Sequence, residues 1–173
     1  MTTTSSPRAV RLVEMTGGAM SALLADDRAA AEAELGFVLS DEFLSDRAKW
    51  LWQYRLDQLT RDPSAFGWLV KLVVADGIVV GNAGFHGPPD ENGMVEIGYT
   101  VNPPFRRQGY AKAVVAALLE RAAAEPDVRT VRATISPTNE ASLATIAGFG
   151  FVENGEQWDE QDGRELIFER PSR

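Results

Sequence analysis

Apolar positions recur along this chain with two different periods, and the change of period divides it. Val10, Leu12 and Val13 predict a short strand. The loop Thr16-Gly17-Gly18 follows, and a helical pattern runs from Ala19 to Leu35. Asp41-Glu42 opens a second predicted helix through Trp50, Leu51, Trp52, Tyr54 and Leu56 to Leu59, ended by Asp62-Pro63. The period then shortens. Trp68 to Ala75 and Ile78 to Phe85 are β-rich runs joined by Asp76-Gly77, a two-residue hairpin signal, and His86 to Gly93 is a loop rich in Gly and Pro.

Met94 to Val101 predicts a third sheet strand and Asn102 to Gln108 a loop. A helix is predicted from Gly109 to Glu125, with Ala111, Val115, Leu118 and Ala122 on one face and Pro126 as its stop. Val128 to Ser136 alternates as a strand, Thr138 to Phe149 forms a helix, and two short strands close the chain, Phe151 to Glu153 and Glu165 to Glu169. The order β, α, α, β, β, β, α, β, α, β, β implies an α/β (α+β) fold. Its mixed sheet is flanked by helices, with a parallel β-α-β crossover around the helix that starts at Gly109.

Composition narrows the chemistry. The 173 residues, 45% hydrophobic and 24% charged, fit one domain, taken as residues 9–171 behind a frayed polar start, 1–8. The absence of cysteine excludes disulfides, thiolate metal sites and a cysteinyl acyl-enzyme, and a single histidine, His86, excludes polyhistidine metal sites. No metal is expected. A net charge of -8 argues against nucleic acid as a partner. No apolar run approaches the roughly 20 residues that span a bilayer, so no membrane association and a cytoplasmic location are expected.

Against that acidity, three bases and no acid lie between Pro104 and Lys112, in the stretch Arg106-Arg107-Gln108-Gly109-Tyr110-Ala111-Lys112. Glycine there lets the backbone approach a ligand, and the free N–H groups of the following helix's first turn make an anion site. Neither GxxxxGK[ST] nor GxGxxG is present, and alone the stretch fits a basic helix cap equally well. Downstream come Asn139-Glu140-Ala141-Ser142 and Gly150-Phe151. With Val95-Glu96-Ile97-Gly98-Tyr99-Thr100-Val101-Asn102-Pro103 upstream, the chain resembles the GNAT superfamily of N-acetyltransferases over almost its whole length, specifically the RimJ/RimL-like branch.

That resemblance implies a mostly antiparallel sheet and acetyl-CoA as co-substrate. The family's pyrophosphate loop falls on Arg106, Arg107, Gln108, Gly109, Tyr110, Ala111 and Lys112. The strand-end positions that pair with the pantetheine arm fall on Tyr99, Thr100 and Val101. Asn139 matches the asparagine that bonds the pantetheine, although a helix cap is its alternative role. Ser142 matches the serine near the sulfur. Many family members carry a tyrosine four residues beyond that serine, where this chain has Ile146, so Ser142 is left as candidate donor to the departing thiolate.

Amines are mostly protonated near neutrality, so acetyl transfer needs a base. Glu96 is the candidate, on the opposite sheet face from Val95 and Ile97; an ordinary solvated strand residue is the alternative. A backbone N–H near Thr100 or Val101 would stabilise the oxyanion. His86 reads as a loop histidine or a lining of the amine pocket, and Trp50, Trp52 and Tyr54 as cleft wall or core. From Glu153 to Glu165 six acids face one base, which suits a cationic acceptor and equally a solvated hairpin. The expected partner is an amine, on a protein N-terminus or a small molecule. Exposed strand edges are compatible with a homodimer, and a non-catalytic acyl-CoA sensor is the alternative function.

Overall fold

The computed structural model describes residues 8–173. Its strands are β1 (Arg11–Glu14), β2 (Lys71–Ala75), β3 (Ile78–Phe85), β4 (Met94–Val101), β5 (Thr130–Ile135), β6 (Val152–Asp159) and β7 (Gly163–Pro171). Its α-helices are α1 (Gly17–Leu24), α2 (Arg28–Leu35), α3 (Asp46–Arg61), α4 (Tyr110–Ala124) and α5 (Glu140–Ile146). The strands form one sheet in the order β1-β2-β3-β4-β5-β7-β6. Every neighbouring pair is antiparallel except β4 with β5, the pair that α4 connects.

Strand alternation sends apolar side chains to both faces, and each face carries its own core. On one, Val95, Ile97, Val131 and Ala133 pack against Val114, Val115 and Leu118 of α4. On the other, Leu72 and Val74 pack against Met20 and Leu23 of α1, Phe43, and Trp52 of α3. Trp52 is fully buried, stacks on Phe43 at 5.8 Å and donates its indole N–H to the Phe43 carbonyl at 2.8 Å. Trp50 and Tyr54, one turn apart on the outer side of α3, stay exposed and stack on each other at 5.3 Å. The aromatic cluster therefore divides between core and surface.

Several boundaries differ from the sequence pattern, each for a local reason. The first predicted helix breaks at Asp26, whose φ is 59°, and restarts where the Asp27 carboxylate accepts the Ala30 N–H at 3.0 Å. The second begins as a 3-10 turn, Asp41–Leu44, before Ser45 caps α3. A 3-10 turn also occupies Pro63–Gly67, so β2 starts at Lys71 instead of Trp68. The helix expected from Thr138 to Phe149 is shorter, Glu140–Ile146.

The largest difference is at the end of the chain. The segment Glu153 to Glu165, expected as a loop, is mostly strand: β6 runs to Asp159 and β7 starts at Gly163. β6 is the edge of the sheet and nearly all of it is exposed, so it has no apolar alternation to announce it. Of the predicted frayed start, residues 1–7 lie outside the described residues; Arg8 is described. No helix among the described residues is long and apolar enough to cross a membrane.

Candidate active site

The site begins where two strands separate. β4 and β5 pair only from Met94↔Thr130 to Glu96↔Arg132. Beyond Glu96, β4 continues to Val101 beside β3 while β5 continues to Ile135 beside β7, which leaves a gap between them. His86 donates its N–H to the Glu96 carbonyl and Asn102 donates to the Val80 carbonyl, both at 2.8 Å. With Ala83↔Tyr99 and Gly81↔Val101 in register, the polar backbone groups of residues 96, 98, 100 and 102 therefore face β3. Those of Ile97, Tyr99 and Val101 face the gap. Thr100 presents its side chain, not its backbone, to the site.

At the far end of β4 the chain turns into α4. Arg107 (φ 59°) and Gly109 (φ 87°) both adopt left-handed conformations, and Gly109 is the N-cap of α4 without a side-chain cap. The first N–H groups of a 15-residue helix are thus offered outward. A Cβ built on Gly109 would meet only the Arg8 side chain, at 3.7 Å, so what demands glycine is the backbone conformation. The bases in this loop have separate tasks. Arg106 turns back and donates to the Val101 carbonyl at 2.9 Å, whereas Arg107 and Lys112 line an open groove of about 950 Å³ along α4. Arg8, Ala116 and Phe149 also line it. Arg8 lies over the Tyr110 ring at 5.1 Å and bonds the Gln108 carbonyl at 3.2 Å. Its contribution was not visible from sequence, because it lies about 100 residues from the loop.

α5 starts beside the gap, just past the end of β5. The Asn139 Oδ1 accepts the Ser142 N–H at 3.1 Å, the capping alternative, which commits its oxygen. Ser142 is half-buried in the first turn of α5, and Ile146 is buried in the core. The Tyr99 hydroxyl is buried without a partner among the described residues. An unmade bond of that kind costs about 1–3 kcal/mol.

The opposite face of the sheet carries titratable groups. Glu96, on the face away from α4, accepts the Thr134 hydroxyl at 2.6 Å and lies 3.4 Å from His86 Nδ1. Desolvation among its neighbours lowers the pKa of the half-exposed His86 below its ordinary 6.5. The Glu96 carboxylate opposes this, Arg55 adds to it, and Asp159 opposes it. Arg55 of α3 is itself buried, and its Nη1 reaches the His86 carbonyl at 3.2 Å. Glu165 of β7 is buried on the same face and bonded to Gln157 at 3.0 Å. Burial pushes its pKa up; the Gln157 bond opposes this, and Asp159, Asp162 and Glu96 add to it.

The acidic hairpin is less uniformly acidic than its composition. Asp162 pairs with Arg47 of α3 at 3.0 Å and Glu156 with Arg164 at 2.7 Å, leaving Asp159 and Glu165 as the inward members. His86 is the residue whose partner sequence reasoning missed. The hairpin register that brings it opposite Glu96 depends on the length of a Pro-rich loop. No group of three or more His, Asp or Glu suited to a metal ion occurs among the described residues.

Comparison with known proteins gives the chain its relatives. A family model described as an acetyltransferase (GNAT) domain matches residues 18–152. An uncharacterized N-acetyltransferase, YjdG, of Bacillus subtilis (strain 168) is 38% identical over 76 residues, which is 44% of this chain and 45% of that protein. The match thus spans under half of that relative's length. Among solved structures, the RimL ribosomal L7/L12 α-N-protein acetyltransferase in complex with coenzyme A has a TM-score of 0.65 at 18% identity, covering 96% of this chain and 95% of that one. A spermidine N-acetyltransferase SpeG chimera from Vibrio cholerae and hSSAT has a TM-score of 0.65 at 11% identity, covering 94% and 95%. At such identities the likeness shows the fold alone.

Proposed function

The chain belongs to the GNAT acetyltransferase family, and from that premise we propose that it is an acetyl-CoA-dependent N-acetyltransferase that passes the acetyl group directly to a primary amine. The observation that carries this is the gap beyond Glu96 and Arg132. It joins the uncapped start of α4 on one face of the sheet to Glu96 and its neighbours on the other. Two reactants approaching from opposite faces meet there with little reorganisation.

Acetyl-CoA supplies a thioester whose carbonyl accepts the amine and whose thiolate leaves. The loop Arg106 to Lys112 holds the diphosphate through its backbone N–H groups, with Arg107 and Lys112 adding charge. Tyr99 and Val101 bond the pantetheine arm in the manner of an added strand, and Thr100 lines the entrance. The orphan Tyr99 hydroxyl fits a site completed by that arm. Asn139, its oxygen engaged in the cap, offers its Nδ2 as donor. The outward Tyr99 N–H stabilises negative charge on the reacting carbonyl oxygen, leaving the Tyr99 carbonyl and the Val101 N–H to the pantetheine. Glu96, held by Thr134, receives the amine's proton, and Ser142 donates to the departing sulfur. The absence of cysteine requires transfer without a cysteinyl intermediate.

The acceptor is a protein N-terminus or a small-molecule amine. The negative charge of Asp159 felt at His86, with Glu165 near Glu96, suits a cationic group. The experiment is free-thiol release from acetyl-CoA across a panel of N-terminal peptides, polyamines and amino sugars. Amine-dependent release with an acetylated product is the expected result. Tight coenzyme A binding with no turnover on any amine would instead identify an acyl-CoA sensor.

A further inference from the structure

We propose that His86 is a catalytic residue: its Nε2 takes the proton from the acceptor amine, and its Nδ1 relays a proton to Glu96. This rests on the acetyltransferase function above and changes the route by which Glu96 acts.

Just past the end of β3 an imidazole lies beside a carboxylate of β4, Nδ1 3.4 Å from Oε1. Phe85↔Ile97 in register places His86 opposite Glu96 across β3 and β4, on the sheet face away from α4. The residue is fixed at both ends of its backbone. Its N–H donates to the Glu96 carbonyl at 2.8 Å, and its carbonyl accepts Gln58 Nε2 at 2.8 Å and Arg55 Nη1 at 3.2 Å. Glu96 is fixed as well, because Thr134 donates to the same Oε1 that lies 3.4 Å from Nδ1. Such contacts are commonly long before substrate arrives.

The other nitrogen settles the direction of the relay. A Cβ on Gly98 would stand 3.0 Å from His86 Nε2, so the ring edge occupies the space that glycine leaves open, two residues along β4 from Glu96. That places Nε2 on the side where β4 and β5 have separated. The side chain also keeps 48% of its surface accessible, against 16% for Glu96, so an entering amine meets the imidazole before the carboxylate.

The charged groups that act on the ring are Glu96 from β4, Arg55 from α3 and Asp159 from the end of β6. Burial and Arg55 together outweigh the two acids and lower the imidazole pKa, and a neutral ring that keeps its proton on the Nδ1 beside Glu96 carries its lone pair on Nε2. As the amine nitrogen bonds to the carbonyl carbon, its N–H breaks and Nε2–H forms. The Nδ1 proton passes to the Glu96 carboxylate and the C–S bond breaks; once product has left, Nε2 gives its proton to solvent and the Glu96 proton returns to Nδ1, which restores the resting tautomer.

Because His86 is the only histidine, nitrogen-15 NMR of untagged protein reads its tautomer and titration without assignment. The expected neutral form carries its proton on Nδ1. Its pKa lies below 6.5 and falls further in Glu96→Gln, where a stabilising anion is gone. A neutral form protonated on Nε2, or a titration that Glu96→Gln leaves unmoved, would overturn the relay. In the thiol-release assay, His86→Gln should lower kcat about 100-fold or more with coenzyme A affinity unchanged. It should also remove the acidic limb of kcat/KM that coincides with the NMR titration in the wild type. A His86→Gln enzyme with the wild-type limb and near-normal kcat would also overturn the relay. Absence of turnover by the wild type on every amine would refute the acetyltransferase function itself, while the tautomer still decides the His86–Glu96 pairing.

Discussion

Replacing Gly109 with Asn and with Asp isolates the charge preference of the α4 start. Gly109 sits at φ 87° with only the Arg8 side chain within 4 Å of a built Cβ, so neither side chain is sterically excluded. Asn and Asp tolerate the left-handed region better than other residues, at a shared penalty of about 1–2 kcal/mol. The two variants are nearly isosteric and differ by one negative charge. Placed about 5 Å from a bound phosphate, that charge costs about 1–3 kcal/mol for effective dielectrics between water and a protein surface. Calorimetric titration with coenzyme A should therefore show Gly109→Asp binding roughly 5- to 150-fold more weakly than Gly109→Asn. The ratio should shrink as salt rises, since the Debye length falls to about 3 Å at 1 M. Equal affinities at low salt would refute the placement of the diphosphate at this loop, whatever each variant's own loss against wild type.

Other consequences are measurable. Trp52→Ala removes a fully buried ring stacked on Phe43 and should lower unfolding free energy by about 3–5 kcal/mol by denaturant titration, a loss that Trp50→Ala, at 43% exposure, should not approach. The Glu165 pKa is raised in the folded state, so the fold binds that proton more tightly than the unfolded chain does. This contribution is fully present below the ordinary value of 4.5 and is lost as pH rises through the raised value. Glu165→Gln should accordingly raise Tm relative to wild type at pH 7 to 8, with the difference closing toward pH 4. Ser142→Ala leaves the Asn139 cap intact, because the cap is made to the Ser142 backbone N–H. It should thus reduce kcat with coenzyme A affinity and Tm nearly unchanged.

What was legible in the sequence is what is local. The strand, loop and helix around Gly109 announce themselves by Pro103-Pro104, a glycine and a helical apolar face within about 20 residues, and the resulting crossover is the parallel β4–β5 pair. The Asp76-Gly77 hairpin is equally self-contained. What escaped depends on distant register or on exposure. β6 is a strand because β7 offers it a partner, not because it has an apolar side, so its acids looked like a loop. The break of the first helix turns on a single left-handed Asp26. The His86 contact with Glu96 exists because the loop after Phe85 returns in a register no residue type encodes, and Arg8 joins the groove through a contact across the fold. Composition foresaw an acidic hairpin but not that Arg47 and Arg164 neutralise part of it.

The most direct test of the account is a crystal structure of the protein with coenzyme A bound. The diphosphate should lie on the N–H groups that open α4 at Gly109. The pantetheine should run along Tyr99 and Val101, and the sulfur should reach the gap beyond Glu96 and Arg132 near Ser142. Coenzyme A bound away from that gap, or a gap closed by continued β4–β5 pairing, would contradict it.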